Sequence, residues 1–423
     1  MKKLAFLASA LIALGLLGGC KGNHNQNTAQ ARMLNAVVDA EPLNMNVDDS
    51  AKATGISLGS TSGYTSVNSG TRDVKIISST TSAVLLDKTL AFPDGTNATV
   101  LAYGKRAAMN ASVLTDDTTV ISSGHLRVRV VNLAPDTGAV DIYLGSTDIT
   151  SQPAAVVAAG AGNVTASSEI SPGSASITIT TSGTQDKLFT SAAQTFTAGQ
   201  YVTIVVVPSP GGKLVNAILM VQGGSTTFLQ NPISRLKATN AIADAAAGYN
   251  FRVDGTALLL NVPYTGSSTY INVPSGSHTV QMEAANVPGT FVATFVQTFN
   301  GATDYSLVAY GTSASPKLAV ITDDNTEPPT GLGKIRFVDA MTGAASVDVQ
   351  VNFAGQAAGV ALGTASSYYN VTPSLTYTIA FTTPGGLTVL ASASNIEIDS
   401  GGVYTAYLMG APGAAQIRII RDR

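Results

Sequence analysis

The clearest structural pattern in the chain lies at residues 127–144, which read R-V-R-V-V-N-L-A-P-D-T-G-A-V-D-I-Y-L. The first part, residues 127–132, is rich in β-branched valine, which favours a β-strand. The second part, residues 140–144, alternates apolar and polar residues, and a period of two is typical of a strand with one buried face. The segment therefore predicts two short strands at the start of a β-domain.

Similar segments occur four times, about 100 residues apart. Each copy has an opening block, a second block and a closing apolar block. The opening blocks begin at Arg32, Arg127, Arg235 and Lys334, the second blocks at Leu43, Val140, Tyr249 and Val347, and the closing blocks at Thr99, Tyr201, Tyr305 and Tyr404. Repetition at this period indicates homologous domains in series. We predict four repeats, at residues 32–117, 127–222, 235–324 and 334–423.

The third repeat indicates how many strands each copy contains. Its opening and closing strands, together with four candidates between them, make about seven or eight strands, the number expected of a β-sandwich. The four candidates are residues 257–262, 269–273, 278–283 and 291–299. Residues 234–247 are Ala-rich and alone would be predicted helical. Their alignment with residues 127–135 predicts a strand instead, and we follow the alignment because propensity is the weaker indicator.

A tyrosine follows a turn and begins the closing strand in three repeats, at Tyr201, Tyr305 and Tyr404. This placement is similar to the tyrosine corner of Greek-key sandwiches, in which the hydroxyl bonds nearby backbone. The first repeat has Ala98 in this place. We expect the three rings to be mostly buried.

The opening and second blocks, with V-D-I-Y-L at residues 140–144 as the clearest copy, resemble the domain of unknown function 4397 family of secreted bacterial proteins and lipoproteins. The resemblance extends over nearly all of the mature chain as about four copies, of which only residues 127–144 match well. It implies an all-β protein of four tandem immunoglobulin-like or transthyretin-like β-sandwiches outside the cytoplasm. It implies no reaction.

The N-terminus has the features of an export leader. Lys2 and Lys3 precede an apolar run of about 14 residues, which suits a signal peptide and is too short to span a bilayer. The run ends in L-G-G-C at Cys20, which looks like the lipobox of bacterial lipoproteins. We predict a signal peptide at residues 1–19, and lipidated Cys20 with a flexible tether at residues 20–31. Lys21 follows the cysteine, and in a host with two membranes the usual sorting pattern then implies the outer one, with the protein either periplasmic or surface-exposed.

The composition excludes several classes of protein. Charged residues are 12% of the chain and the net charge is −3, or −5 once Lys2 and Lys3 leave with the leader, so nothing attracts a nucleic acid. A hydrophobic content of 45% is too high for a disordered chain. The single cysteine, Cys20, has no partner for a disulfide.

Sequence motifs do not predict a catalytic site. Gly55-Ile-Ser57-Leu-Gly59 has the spelling of a nucleophile elbow, but no helical pattern follows it. Ser234-Arg-Leu-Lys237 spells S-x-x-K, yet on a strand residues three apart point to opposite faces. The three histidines, His24, His125 and His278, lie in different segments and suggest no zinc site. We therefore expect a non-enzymatic protein without a cofactor apart from the lipid.

Two sets of polar residues have competing interpretations. An Asn or Asp pair recurs in each repeat; it either lines a ligand groove or, as we favour, bonds backbone at strand ends. The pairs are Asn35 with Asn44, Asn132 with Asp141, Asn240 with Asn250 and Asp339 with Asp348. Acidic residues also lie where repeats meet, and these either bind calcium or, as we favour, are solvated linker charge. The calcium candidates are Asp116, Asp117, Asp323 and Asp324.

Together these features predict a monomeric envelope lipoprotein that acts as a structural or adhesive binding stalk. Its partners would be membrane lipid, through Cys20, and a glycan or an envelope protein. Segments rich in Gly, Ser, Thr or Pro separate the repeats, at residues 118–126, 223–234 and 325–333, so we expect four sandwiches in line, each with its own core. The alternative function is an extracytoplasmic hydrolase with a site assembled across repeats.

Overall fold

The computed structural model describes residues 27–423, so the leader and Cys20 lie outside the described residues. The described chain is all-β, as predicted, and its one helical turn is a short 3₁₀ segment at Pro135–Thr137. Pairs of sheets enclose a hydrophobic core in each of the four repeats. Within these residues, no helix has the length and apolar character needed to cross a membrane.

The first two repeats contain strands β1 to β18. Those of the first repeat are β1 (Thr28–Val37), β2 (Leu43–Val47), β3 (Ser50–Ile56), β4 (Thr65–Asn68), β5 (Gly70–Ser78), β6 (Val84–Phe92), β7 (Asn97–Lys105) and β8 (Ala108–Thr115). Those of the second are β9 (Leu126–Asn132), β10 (Val140–Gly145), β11 (Val156–Ala159), β12 (Ser168–Ile170), β13 (Gly173–Thr181), β14 (Lys187–Thr190), β15 (Gln194–Phe196), β16 (Tyr201–Val207), β17 (Asn216–Val221) and β18 (Thr226–Leu229).

The last two repeats contain strands β19 to β34. Those of the third repeat are β19 (Ile233–Asn240), β20 (Tyr249–Val253), β21 (Thr256–Val262), β22 (Ile271–Pro274), β23 (Gly276–Ala284), β24 (Phe291–Phe299), β25 (Asp304–Thr312) and β26 (Ser315–Asp323). Those of the fourth are β27 (Gly333–Met341), β28 (Ser346–Val351), β29 (Ala354–Ala361), β30 (Tyr369–Val371), β31 (Ser374–Thr382), β32 (Val389–Ile398), β33 (Val403–Gly410) and β34 (Gln416–Arg421).

Each sandwich has an inner and an outer sheet. The inner sheet contains the opening strand and the closing-block strand as parallel neighbours, so the blocks that identify the repeats in the sequence meet in space. The inner sheets have the orders β4-β1-β7-β8, β12-β9-β16-β17-β18, β22-β19-β25-β26 and β30-β27-β33-β34. The outer sheets of the four repeats have the orders β3-β2-β5-β6, β11-β10-β13-β14, β21-β20-β23-β24 and β29-β28-β31-β32. In the second of these sheets, β15 also pairs with β13.

The inner sheets are buried on both faces because the repeats pack in pairs. In β1, Met33 points into the core of its own sandwich, whereas Leu34 packs on Val131 of the second repeat. In the same way, Val308 of the third repeat packs with Val338 of the fourth. Two layers of inner sheet thus lie between two outer sheets. We call the first and second repeats the first pair, and the third and fourth repeats the second pair.

This pairing corrects two expectations. The four repeats are not four sandwiches in line with separate cores. Each repeat has its own core, but one further apolar cluster joins the two members of each pair. Residues 223–234 are also not a free linker: they include β18, which extends the inner sheet of the second repeat, and the buried Asn231 and Ser234. Of the three segments expected to be linkers, residues 118–126 are the one that is largely exposed and outside the strands.

The choice of strand over helix for the opening of the third repeat is confirmed. β19 covers Ile233–Asn240, and the Ala-rich residues that follow form an irregular connection to β20. The four strands predicted between the opening and closing blocks are β21 to β24, with ends within about two residues of the prediction.

Candidate functional site

A basic residue lies inside the opening strand of every repeat, three positions before the Asn or Asp, and we did not predict its importance from the sequence. The four residues are Arg32, Arg129, Lys237 and Arg336. Each is in register with a hydroxyl on the parallel closing strand, and three of them donate from Nε to that hydroxyl: Arg32 to Thr99 at 2.9 Å, Arg129 to Thr203 at 3.1 Å and Arg336 to Thr405 at 3.0 Å. A cation that recurs in every repeat three residues before the Asn or Asp was the signal that could have identified them.

In the second pair these cations cross to the neighbouring repeat. Arg336 of the fourth repeat donates to the carboxylate of Asp323 in the third, and Lys237 of the third donates to the carboxylate of Asp422 in the fourth. Each of the four side chains is at most 2% exposed. The two repeats therefore exchange equivalent ion pairs, as two subunits do across a twofold axis.

Tyrosine rings and hydroxyl groups surround these ion pairs. The guanidinium carbon of Arg336 lies 4.9 Å from the ring centre of Tyr368, and Nζ of Lys237 lies 5.2 Å from that of Tyr270. The Tyr270 hydroxyl donates to Asp323 at 2.5 Å. Burial alone would raise the pKa of Asp323, but Arg336, Lys237 and this hydroxyl hold it below its usual value. The carboxylate is therefore charged and fully paired inside the interface.

The first pair has the same arrangement with fewer charges. Arg129 Nη1 donates to the carbonyl of Thr115 at 2.9 Å, and Arg336 Nη1 donates at the same distance to Thr322, the equivalent residue of the third repeat. Gln222 stands where the last strands of the second pair have an aspartate; it accepts from the backbone N–H of Asp117 at 2.8 Å and donates to the Asp117 carbonyl at 2.8 Å. One docking geometry thus serves both pairs.

The two pairs meet at a cleft of about 620 Å³ that residues from all four repeats line. The first repeat provides Val38, Asp39 and Lys105, the second Pro208, Ser209 and Pro210, the third Val320 to Asp324, with Thr326 after it, and the fourth Arg336, Gly363 to Ser366 and Tyr368. Apolar side chains alternate there with hydroxyl groups. The Tyr368 hydroxyl is buried and has no hydrogen-bond partner among the described residues.

Direct contacts hold the pairs together beside this cleft. Lys105 Nζ donates to Thr326 Oγ1 at 2.5 Å, and Arg423 Nη2 donates to the carbonyl of Asp136 at 2.7 Å. Gly212 has a φ of +86°, and a Cβ there would lie 2.3 Å from the backbone carbon of Asn325, so only glycine fits this contact. The cleft therefore has defined walls on both sides.

The four calcium candidates do not converge on one point. Asp116 accepts from the Tyr64 hydroxyl at 2.7 Å, and Asp117 accepts from Arg127 at 3.2 Å. Asp323 is paired with Arg336, and Asp324 lies 3.1 Å from Lys334. Among residues 27–423, no three His, Cys, Asp or Glu side chains are grouped as metal ligands would be. The interpretation that we favoured, solvated linker charge, is wrong for Asp323, which is buried in an ion pair, and calcium binding stays the less favoured alternative from the sequence.

The motifs with a catalytic spelling lie in structural positions. Ser234 is buried, and its hydroxyl donates to the carbonyl of Val273 at 3.2 Å, whereas Lys237 faces Asp422. Ser57 lies in an exposed turn. His278 Nδ1 lies 2.6 Å from Asp254 Oδ2, but its buried Nε2 has no hydrogen-bond partner among the described residues, so no hydroxyl nucleophile is held against it.

The recurring Asn and Asp pairs bond backbone, which is the interpretation that we favoured. The first member accepts from the N–H two residues later: Asn35 from Val37, Asn132 from Ala134, Asn240 from Ile242 and Asp339 from Met341. The second member accepts from a backbone N–H at a bulge with positive φ: Asn44 from Gly55, Asp141 from Ala158, Asn250 from Asn261 and Asp348 from Gly359. These side chains therefore fix the backbone at the strand ends, and Asp348 also borders a surface pocket of the fourth repeat.

Two of the three tyrosines form the predicted corner. The Tyr305 hydroxyl accepts from the N–H of Asn300 at 2.9 Å, and the Tyr404 hydroxyl accepts from that of Asp399 at 3.1 Å; both rings are buried. Tyr201 is one residue out of register, because Val202 aligns with Tyr305 and a shift of one residue turns a side chain to the other face. Its hydroxyl donates to Thr119 instead, at 2.5 Å.

A family model described as Domain of unknown function (DUF4397) matches residues 29–143, 234–350 and 333–423, which is more than half of the chain. The chain belongs to the DUF4397 family. Two of the DUF4397 matches cover one repeat and the first two strands of the next: residues 29–143 extend from the first repeat into the second, and residues 234–350 extend from the third into the fourth. Residues 127–143, which contain most of the segment that carries the resemblance in the sequence, lie at the end of the first match, and the rest of the second repeat is not matched.

The solved structures that match this DUF4397 protein do so at low sequence identity and low TM-score. No curated protein matches it significantly in sequence. The Bacillus anthracis TIE protein is 11% identical over 91% of this chain and 67% of its own, with a TM-score of 0.17. A candidate cell adhesion protein from Bacteroides uniformis is 12% identical over 48% of this chain and 99% of its own, with a TM-score of 0.22. Scores this low carry no argument about function.

Proposed function

We propose that this protein is a non-enzymatic lipoprotein of the bacterial outer membrane, anchored through Cys20, that binds a ligand in the cleft between its two pairs. The observation that carries the proposal is that all four repeats contribute to one cleft whose walls are joined by direct contacts. Clefts at domain interfaces are the usual place for ligand sites.

The lining of the cleft supports a neutral, hydroxyl-rich ligand such as a glycan. Asp323 is neutralised by Arg336, and Asp324 by Lys334. The exposed Thr322 and Thr364 contribute hydroxyl groups beside prolines and Val320, a mixture that suits the polar edges and apolar faces of sugar rings. The free Tyr368 hydroxyl supplies a donor that a ligand oxygen can accept.

Binding can be tested with the chain from Lys21 to Arg423, which contains every described strand. A glycan array identifies ligands, and calorimetry then compares the wild type with Tyr368→Phe and with Ala365→Phe, which fills the cleft. Ala361→Phe, on the exposed face of β29, is the matched control. The proposal requires that both cleft variants weaken binding and that the control does not. Equal binding by all of the proteins would contradict it.

Anchoring needs a separate test, because Cys20 lies outside the described residues. We expect labelled palmitate to enter the wild-type protein and not Cys20→Ala, and the wild type to fractionate with the outer membrane. Incorporation into Cys20→Ala would overturn the anchor. The hydrolase alternative has no support from a nucleophile held against a base among the described residues.

A further inference from the structure

A second cavity, of about 360 Å³, lies where the two pairs meet. The second, third and fourth repeats line it, and it shares no lining residue with the cleft described above. In the segment that follows the third repeat, Asp324 and Thr326 line the cleft, whereas Asn325, between them, lines the second cavity. Small-molecule sites have volumes of roughly 300 to 1,000 Å³, so this cavity suits a small ligand.

Contacts between the pairs hold the walls of this cavity in place. Arg423, which lines it, donates from Nη2 to the carbonyl of Asp136 at 2.7 Å. Its Nη1 lies 3.3 Å from the carbonyl oxygens of Gly212 and Asn325. One guanidinium group of the fourth repeat thus joins the second repeat to the segment after the third.

Two polar side chains in the lining have hydrogen-bonding groups that the described residues leave unused. Asn325 is 1% exposed, and its Nδ2 donates to Asp304 at 2.7 Å, but its Oδ1 has no hydrogen-bond partner. Arg235 donates from Nε and Nη2 to the same Asp304 carboxylate, which leaves Nη1 without a partner within residues 27–423. An acceptor and a donor are therefore available to a ligand that can both donate and accept hydrogen bonds.

The charges of the lining exclude a simple ion as the ligand. Asp136 accepts one side-chain hydrogen bond, from the N–H of Glu327 at 3.3 Å, and burial raises its pKa, which Arg423 offsets only in part. Three cations and two carboxylates line the cavity, namely Lys213, Arg235 and Arg423 with Asp136 and Asp422. An anion would meet the carboxylates and a cation would meet the basic side chains, whereas a neutral molecule avoids both repulsions.

We propose that this cavity is a second binding site, for a neutral sugar. Sugar hydroxyl groups can donate to Asn325 and Asp136 and accept from Arg235, and Leu188 in the lining offers an apolar contact to the ring. The ligand class rests on the proposed function, but the cavity has its own residues and is independent of the cleft.

Methyl-labelled leucine locates binding without a substitution in the cavity. Glucose, galactose and N-acetylglucosamine are added in turn to the chain from Lys21 to Arg423. At least one of them should shift the methyl signals of Leu188 and leave those of Leu387, which is 86% exposed on the fourth repeat, unchanged. If none of the three sugars shifts the Leu188 signals, the proposal is wrong.

Two variants then test the cavity against the cleft. Thr181→Phe fills the cavity and Asp136→Leu removes a charged acceptor, so each should weaken the Leu188 response by on the order of tenfold or more. Thr195→Phe, at an exposed residue of the same repeat, is the matched control. Ala365→Phe fills the cleft and should leave the response unchanged.

Each contrary result separates this site from the cleft. A response that persists in either folded cavity variant, or one that Ala365→Phe abolishes, would overturn the second site. Neither result would contradict glycan binding in the cleft, which the glycan array and its own variants test.

Discussion

Replacement of Arg336 by methionine should destabilise the second pair strongly. Methionine preserves much of the side-chain length but leaves the Asp323 carboxylate without its cation, in an interface where the two side chains are 2% and 0% exposed. Removing one partner of a buried ion pair costs about 3 to 5 kcal/mol. At roughly 2 to 4 °C per kcal/mol for a unit of this size, the melting temperature of the second pair should fall by on the order of 10 °C.

Calorimetry and urea unfolding measure this change on the chain from Lys21 to Arg423. Arg421→Met is the matched control, because Arg421 forms its ion pair with Asp399 in solvent, where the side chains are 53% and 40% exposed. That loss should be below about 1 kcal/mol. Adding Asp323→Asn to Arg336→Met should recover part of the stability, because no buried charge is then left unpaired. Equal losses for Arg336→Met and Arg421→Met would refute the reasoning.

Three further predictions concern single features of the fold. Burial raises the pKa of Asp339 to about 6, above the usual 3.8, so the folded state holds a proton that the unfolded state has lost, and stability falls as the pH rises from about 4 through 6. Asp339→Asn restores the amide that the other repeats have at this position, and it should stabilise the fourth repeat by about 2 to 3 kcal/mol at pH 7 and by little near pH 4 in urea titrations; an equal gain at both pH values would contradict this. Tyr305→Phe removes the hydroxyl of a buried ring that accepts from the N–H of Asn300 and should cost about 1 kcal/mol, the net contribution of one hydrogen bond, which is more than the cost of Tyr201→Phe, whose hydroxyl is partly exposed; if the two losses are equal, the corner assignment fails. Limited proteolysis should cut first within residues 118–124, and early cleavage within residues 223–234 would show that β18 is not held in its sheet.

The repeats and most strands could be predicted because they depend on local pattern. The valines of residues 127–132 and the alternation of residues 140–144 are enough to recognise each copy. Alignment between copies also corrected propensity, since it gave β19 as a strand in an Ala-rich segment. Where a copy is out of step by one residue, as at Tyr201, the same alignment placed a side chain on the wrong face.

The pairing of repeats and the cleft could not be predicted in this way, because they depend on which faces meet in space. Leu34 and Met33 are both apolar neighbours in β1, and the sequence does not say that one packs on another repeat. Arg336 and Asp323 face each other across two repeats, and they look in the sequence like ordinary surface charges. The acidic residues were noticed at the repeat junctions, but their cationic partners were not.

Urea unfolding of residues 233–423 tests whether the repeats form two face-packed pairs. The third and fourth repeats share an apolar cluster and two buried ion pairs, so this fragment should unfold in one cooperative transition, more stable than either repeat prepared alone as residues 233–324 or 333–423. Two separate transitions that reproduce those of the isolated repeats would contradict the claim.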